Sequence, residues 1–163
     1  MKHLLKEYAA YNVWAHEQLF PLIMNLPCTL QMQDTGGSFG SLHKTVLHIW
    51  DAEAGWWQRL KLEEKIILPR DVFDGDTTAA CDSLLLQSKL WRDWVINASD
   101  RSIEHVFEYK NSRTEFFKQP VYQVLQHVFN HSSFHRGQLV YQLRNLEVDK
   151  IPATDFIIYS RKK

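Results

Sequence analysis

The sequence predicts an all-α fold: an antiparallel four-helix bundle with a small β-hairpin between the third and fourth helices. Four segments carry apolar residues every three or four positions, the spacing of helices that bury one face. One short segment alternates apolar and polar residues, which is typical of strands. The length of 163 residues suits one domain, so we expect a single domain over residues 1–163.

The first predicted helix covers about Lys2 to Leu26, and Pro21 should kink or weaken its last turn. The stretch from Cys28 to Gly40 is rich in glycine and lacks periodicity, so it is predicted to be a loop. Ser38 or Ser41 then caps a second helix that runs to about Lys61.

The second half of the chain contains the remaining elements. The third helix is predicted over about Thr78 to Ala98, and the hairpin over Ile103 to Phe116 with a polar tip at Lys110–Arg113. Pro120 is well placed to open the fourth helix, which runs to about Glu147. The apolar run Phe156–Tyr159 is predicted to pack against the bundle.

Composition excludes several classes of protein. Lys plus Arg and Asp plus Glu number 19 each, so no net positive field favours nucleic acid or anionic lipid. Apolar runs fall short of the roughly 18 residues of a membrane span, and the start of the chain lacks the features of a signal peptide. The two cysteines do not suit a disulfide scaffold or a cysteine-rich zinc site. A cytoplasmic protein that binds neither nucleic acid nor membrane is the expectation.

Histidine is the unusual component, with eight residues. His127, His131 and His135 project from one face of the fourth helix, and the last two lie at the edge of its apolar stripe. Two histidines one turn apart can bind one ion, and a third ligand must come from another helix. His48 is the candidate, because it lies beside an apolar stripe among small residues. His127 is expected outside this site or as an occasional ligand.

The alternative is that these histidines are rim residues hydrogen-bonded to their neighbours. Other polar residues near the proposed site are Gln138, Gln142 and Asp51, one of which could orient a ligand imidazole. The sequence assigns no catalytic acid or base.

Three further groups of residues have open roles. Glu53 is interpreted as a buried base, a partner for Arg59 or Arg136, or a structural hydrogen-bonding group, with the structural role favoured. Gly137 is predicted to allow close helix packing, and Arg136 to form an ion pair in the bundle or at an interface. The tryptophan pairs Trp56–Trp57 and Trp91/Trp94 are interpreted as core in preference to a substrate pocket.

Four blocks of the sequence, in order, match one known family. They are Tyr11–Ala15 with Leu19 and Leu26–Pro27; Ser41 to His48 with Glu53, Trp57 and Arg59; His127 to Leu139 with its His-Arg-Gly-Gln; and Pro152–Phe156. With these blocks the chain resembles the DinB-like family of bacterial metal-binding four-helix bundles, over nearly its whole length. The histidine block is the most specific of the four.

The resemblance implies an up-down-down-up bundle that forms a homodimer. It also implies a divalent ion, usually zinc or nickel, held by His48, His131 and His135, the residues that the helical faces select. The expected function is that of a metal-dependent enzyme acting on a small thiol or electrophile, by thiol transfer or hydrolysis. The alternative is a non-enzymatic stress-response protein whose ion is structural. The balanced charge disfavours DNA interaction, which the family's damage-inducible name suggests.

Three neutral imidazoles would leave the ion its full charge and at least one position for water or a substrate. Such an ion lowers the pKa of bound water or binds a thiol as thiolate, and imidazole alone does not select among zinc, nickel, iron and copper. Because the ordinary histidine pKa is about 6.5, we expect metal affinity to fall as the pH drops through 6 to 7.

Overall fold

A computed structural model describes residues 1–111 and 113–161, which form four long helices, four short helices and one hairpin. In chain order the elements are α1 (Lys2–Met24), α2 (Cys28–Met32), α3 (Leu42–Leu60), α4 (Pro69–Val72), α5 (Thr77–Asn97), α6 (Asp100–Glu104), β1 (Val106–Lys110), β2 (Phe116–Pro120), α7 (Val121–Asn145) and α8 (Phe156–Ser160). The predicted all-α fold with one hairpin is confirmed.

The starts of two long helices follow from their capping residues. Ser41 Oγ accepts the backbone N–H of Lys44 at the start of α3, and Asp76 Oδ1 accepts that of Ala79 at the start of α5. Helix α1 continues through Pro21 to Met24, and the Asn25 N–H bonds the Pro21 carbonyl at 3.2 Å. Pro21 lacks the N–H that would bond the Glu17 carbonyl, but this lost bond falls in the last turn, where the helix is about to end.

Two predicted boundaries were wrong. The stretch predicted as a loop from Cys28 to Gly40 begins with α2, whose Gln31 side chain satisfies the terminal carbonyls of Ile23 and Leu26. Ile103 was placed in the hairpin, but it lies buried in α6, which Ser99 caps. The strands start later and pair antiparallel, with Val106 opposite Pro120. Of the predicted hairpin tip, residue 112 lies outside the described residues.

Two hydrophobic clusters, one at each end of the bundle, give the directions of the long helices. One contains the N-terminal halves of α1 and α7 and the C-terminal half of α5, with the end of α3 packed against it: Leu5, Ala9, Trp91, Val95, Val124, Val128, Trp57 and Leu60. The other contains the opposite halves: Leu19, Ile23, Leu42, Val46, Ala80, Leu84, Leu139 and Leu143. Helices α1 and α7 therefore run one way and α3 and α5 the other, which is the up-down-down-up arrangement.

A buried polar network joins the long helices between these clusters. It consists of Asn12 and His16 of α1, Glu53 of α3, Ser88 of α5, and Ser132 and Arg136 of α7. The Glu53 carboxylate accepts hydrogen bonds from Asn12, Ser88 and Ser132 at 2.7–2.8 Å. Arg136 donates to the Asn12 side-chain oxygen, so Asn12 bridges Arg136 and Glu53 through hydrogen bonds.

His16 also connects Arg136 to Ser88 within this network. Arg136 donates to Nε2 of His16 at 3.2 Å, and Nδ1 of the same ring contacts Ser88 Oγ at 3.1 Å. Nε2 must therefore accept, which leaves the proton on Nδ1. Burial, and then the charge of Arg136, hold the pKa of His16 well below its usual value, so the ring stays neutral.

The C-terminal segment packs against the outer face of α1, as predicted for its apolar run. Phe156 stacks on Tyr8 with ring centroids 5.2 Å apart, and Tyr159 contacts Trp14 at 5.5 Å. In the part of the chain that the structure describes, no helix combines the length and apolar character needed to cross a bilayer.

Candidate metal centre

Three histidines converge between α3 and α7 and form the histidine cluster: His48, His131 and His135. His48 lies near the start of α3, and the other two lie one turn apart on α7, which runs antiparallel to α3. Their Nε2 atoms form a nearly equilateral triangle with sides of 3.1, 3.2 and 3.2 Å. The structure therefore brings together the three residues predicted as ligands.

This triangle fits a metal ion. Four ligands in tetrahedral geometry at 2.0–2.1 Å from zinc are separated from one another by about 3.3–3.4 Å, close to the spacing observed here. When all three Nε2 atoms are unprotonated, their convergent lone pairs are costly to desolvate, and a cation relieves that cost. Among the described residues, this cluster is the one group of three or more His, Cys, Asp or Glu side chains suited to hold an ion.

Two neighbouring residues hold the rings of His48 and His135 in position. Gln138 Oε1 lies 3.0 Å from Nδ1 of His135 and can only accept, so this nitrogen carries the proton and Nε2 keeps its lone pair. Phe39, from the loop before α3, stacks on His48 with ring centroids 3.9 Å apart and meets His135 edge-on. Gln138 was among the predicted orienting residues, whereas Phe39 was not.

The cluster is kept neutral at physiological pH. Burial, followed by repulsion from His135, lowers the pKa of His48 to about 4, and burial with the neighbouring histidines lowers the pKa of His131 to about 3. Burial also lowers the pKa of His135, although the hydrogen bond that its Nδ1–H donates to Gln138 opposes this shift. The expected proton competition between pH 6 and 7 was therefore placed too high for His48 and His131. Metal-free imidazoles at these positions are ready to bind a cation without first losing a proton.

The other residues predicted near the site have different roles. His127 lies outside the triangle, with its ring 5.7 Å from that of His131 and 5.3 Å from Trp56. Asp51 binds Arg70, accepting its backbone N–H at 2.9 Å and facing its Nε at 3.7 Å. Gln142 is buried, and its side-chain oxygen has no partner among the described residues. Neither Asp51 nor Gln142 orients a ligand histidine.

Glu53 has the structural role favoured by the sequence, in the buried polar network. Arg136 belongs to the same network, while Arg59 donates instead to the Lys110 carbonyl. The prediction for Gly137 was wrong: a Cβ at this position would meet nothing within 4 Å, because this face of α7 points outward.

The tryptophans divide between core and surface. Trp91 is fully buried and donates to the Glu53 carbonyl, and Trp57 packs on its ring. Trp56 is half-buried and contacts His127.

Comparison with known proteins shows which family the chain belongs to. The DinB family profile matches residues 1–161. The chain belongs to the DinB family. Protein DinB of Bacillus subtilis (strain 168) is 26% identical to this DinB-family protein over an alignment of 169 positions, which covers 91% of this chain and 89% of that protein.

Proposed function

We propose that this DinB-family protein is a metal-dependent enzyme that transfers a small thiol to an electrophile or hydrolyses a small substrate. In this proposal His48, His131 and His135 hold one divalent ion, zinc or nickel, through Nε2. The observation that carries it is the three-nitrogen triangle, which includes no fourth His, Cys, Asp or Glu ligand among the described residues. A closed structural zinc site uses four protein ligands, whereas three leave a position for chemistry.

The residues around the cluster have distinct roles in this proposal. An ion held by three neutral imidazoles lowers the pKa of water or of a thiol bound to it. Gln138 keeps the His135 ring in the orientation that binds the ion, and Phe39 shields one side of the cluster from water. His48 and His131 remain partly exposed, which supports access for a small molecule.

The alternative is a protein in which the ion only links α3 to α7. The close stacking of Phe39 on His48 favours it, because that ring covers part of the cluster. A cytoplasmic location remains a prediction under both proposals.

A comparison of loaded and stripped protein tests the enzymatic proposal. Zinc-loaded and nickel-loaded samples should accelerate the reaction of cysteine with a dinitrophenyl electrophile, or the hydrolysis of a nitrophenyl ester, at least about tenfold over the stripped protein. His131→Ala with added metal should match the stripped protein. Equal rates for the loaded parent and His131→Ala, across thiol and ester substrates, would favour the structural role of the ion.

The proposal includes a homodimer. The outer face of α7 exposes Phe134 and Tyr141, at 66% and 54%, on either side of the open position of Gly137. Such apolar side chains are typical of an association surface. Light scattering at micromolar concentration should give twice the 19.3 kDa mass of the chain. The Tyr141→Glu variant should give the mass of a single chain. Leu86→Glu, at an equally exposed position on α5, is the control; a parent that scatters only as a monomer would contradict the dimer.

A further inference from the structure

A row of rings lies along the seam between α3 and α7, from the histidine cluster to the hairpin. The ring centroids of His131 and His127 are 5.7 Å apart, those of His127 and Trp56 are 5.3 Å apart, and those of Trp56 and Tyr109 are 4.9 Å apart. Phe117, 44% exposed, extends the series from Tyr109 at 6.0 Å. We call this surface the aromatic groove.

Arg59 closes the groove at the hairpin end. Its guanidinium lies over the Trp56 ring at 5.1 Å, and its Nε donates to the Lys110 carbonyl at 3.2 Å. With Trp56, Tyr109, Asn111 and Phe117 it lines a cavity of about 370 Å³. The guanidinium therefore borders a cavity whose other lining residues are mostly aromatic.

The charge of Arg59 has no acidic partner among the described residues. No carboxylate there lies within 4.0 Å of the guanidinium, although Glu63 and Glu64 line a depression on its other side. Glu108 pairs with Lys118 at 3.2 Å. Burial lowers the pKa of the Arg59 guanidinium, which shows that its charge is partly desolvated. A half-buried arginine with its two terminal nitrogens unpaired is suited to bind an oxyanion with both.

The distance from Arg59 to the cluster sets the length of a ligand. His48 and Arg59 share one face of α3, because they are eleven positions apart, which is about three turns of a helix. The side chain of Arg59 points back along the helix, and its Nη1 lies 3.3 Å from the position a Cβ on Gly55 would occupy. Gly55 and His48 are seven residues apart, about 10 Å along the helix axis.

We propose that the aromatic groove binds an elongated organic anion, a carboxylate or phosphate, with its charged end on Arg59. The apolar stem lies against Trp56 and His127, and the other end reaches the histidine cluster about 10 Å away. This inference rests on the proposed metal-dependent function and specifies its substrate class: a thiol or electrophile with a terminal oxyanion.

Calorimetric titration of the zinc-loaded protein with matched thiols tests the inference. The probes are a mercaptooctanoate with a terminal thiol, the corresponding mercaptooctanol and mercaptooctyl phosphate, and mercaptoacetate, which is too short to reach Arg59. The parent should bind the octanoate or the phosphate about tenfold or more tightly than the alcohol, and the tighter of the two identifies the oxyanion. Equal affinity of the parent for all three long thiols would overturn the inference without any variant.

Substitutions test whether Arg59 causes the preference for the anionic thiols. Arg59→Gln should remove the preference for the anion and leave mercaptoacetate binding unchanged, while Arg59→Lys should restore only part of it because the planar fork is lost. Arg92→Gln, which removes a surface arginine from α5, is the matched control and should keep the preference. A preference for the anion that persists in folded, zinc-binding Arg59→Gln would overturn the assignment to Arg59.

The two proposals fail in different ways. If zinc does not bind, or if mercaptoacetate does not bind to the zinc-loaded parent, the proposed metal function and this inference both fail. If mercaptoacetate binds but the long anion binds no more tightly than the alcohol, only the proposal for the aromatic groove fails.

Discussion

Removing the divalent ion should lower the melting temperature of this protein by about 8–16 °C relative to a sample with metal at a thousandfold excess over Kd. Binding to the folded state alone contributes RT ln(1 + [L]/Kd), about 4 kcal/mol at that excess. In a domain of this size each kcal/mol shifts the melting temperature by about 2–4 °C. Differential scanning calorimetry of stripped and reloaded protein measures the change.

Single histidine variants test which residues hold the ion. His48→Ala, His131→Ala and His135→Ala should each abolish tight zinc or nickel binding in calorimetric titrations, because each removes one corner of the Nε2 triangle. His127→Ala is the matched control on the same face of α7 and should weaken binding much less. If His48→Ala binds as tightly as the parent, the ion does not link α3 to α7. Loss of binding in His127→Ala alone would mean that the ion binds a different pair of histidines on α7.

The stability of the metal-free protein and its affinity for zinc both depend on pH. His48 and His131 have folded pKa values of about 4 and 3, below the unfolded value of about 6.5. Between those values the unfolded chain binds protons that the folded chain does not, so the metal-free protein loses stability as the pH falls from about 6.5 toward 3. In the folded protein, proton competition is half complete only near pH 4 at His48 and near pH 3 at His131. A steep loss of zinc affinity already complete at pH 6 would contradict these lowered values.

Arg136→Ala should destabilise the fold by about 3–5 kcal/mol, because it leaves Glu53 fully buried without its opposite charge. Glu53→Ala should cost a similar amount by leaving Arg136 uncompensated. The expected fall in melting temperature is about 6–20 °C for each, measured by calorimetry on metal-free protein to separate it from ion binding.

An exposed ion pair between two of the same helices provides the control. Glu17 of α1 and Lys89 of α5 lie 3.5 Å apart with 44% and 38% of their side chains exposed, so Glu17→Ala should cost less than about 1 kcal/mol. The double variant Glu53→Leu/Arg136→Met should be less destabilised than the sum of the two single alanine variants. Arg136→Ala with the stability of the parent would mean that the network contributes nothing.

Much of the fold and the metal centre could be predicted because it depends on local periodicity. The stripe of Leu42, Val46 and Ile49 in α3 is fully buried, as its three-and-four spacing predicts. His131 and His135 lie one turn apart, so their shared face follows from helical geometry alone. Selecting His48 as their partner required only that it lie at the edge of a buried stripe on another helix.

Features that depend on distant residues were not predicted. Phe39 reaches His48 from a loop in which Gly36, Gly37 and Gly40 all adopt positive φ, and no periodic pattern specifies where such a loop places an aromatic ring. His16 was not distinguished from the other histidines, because its partners Ser88 and Arg136 are 72 and 120 positions away. Glu53 was located correctly, but its donors come from three other helices that a wheel of α3 cannot identify.

The wide separation of the cluster residues along the chain has a consequence for folding kinetics. His48 is 83 positions from His131 and 87 from His135, so the chain that contains α5 and the hairpin must close a long loop before the three rings can meet. Contacts between such distant positions carry the largest loop-closure cost and are made after local ones. An ion that binds only once they have formed adds little to the folding transition state. We therefore expect it to slow unfolding and leave the folding rate unchanged, so that it prolongs the lifetime of each folded molecule.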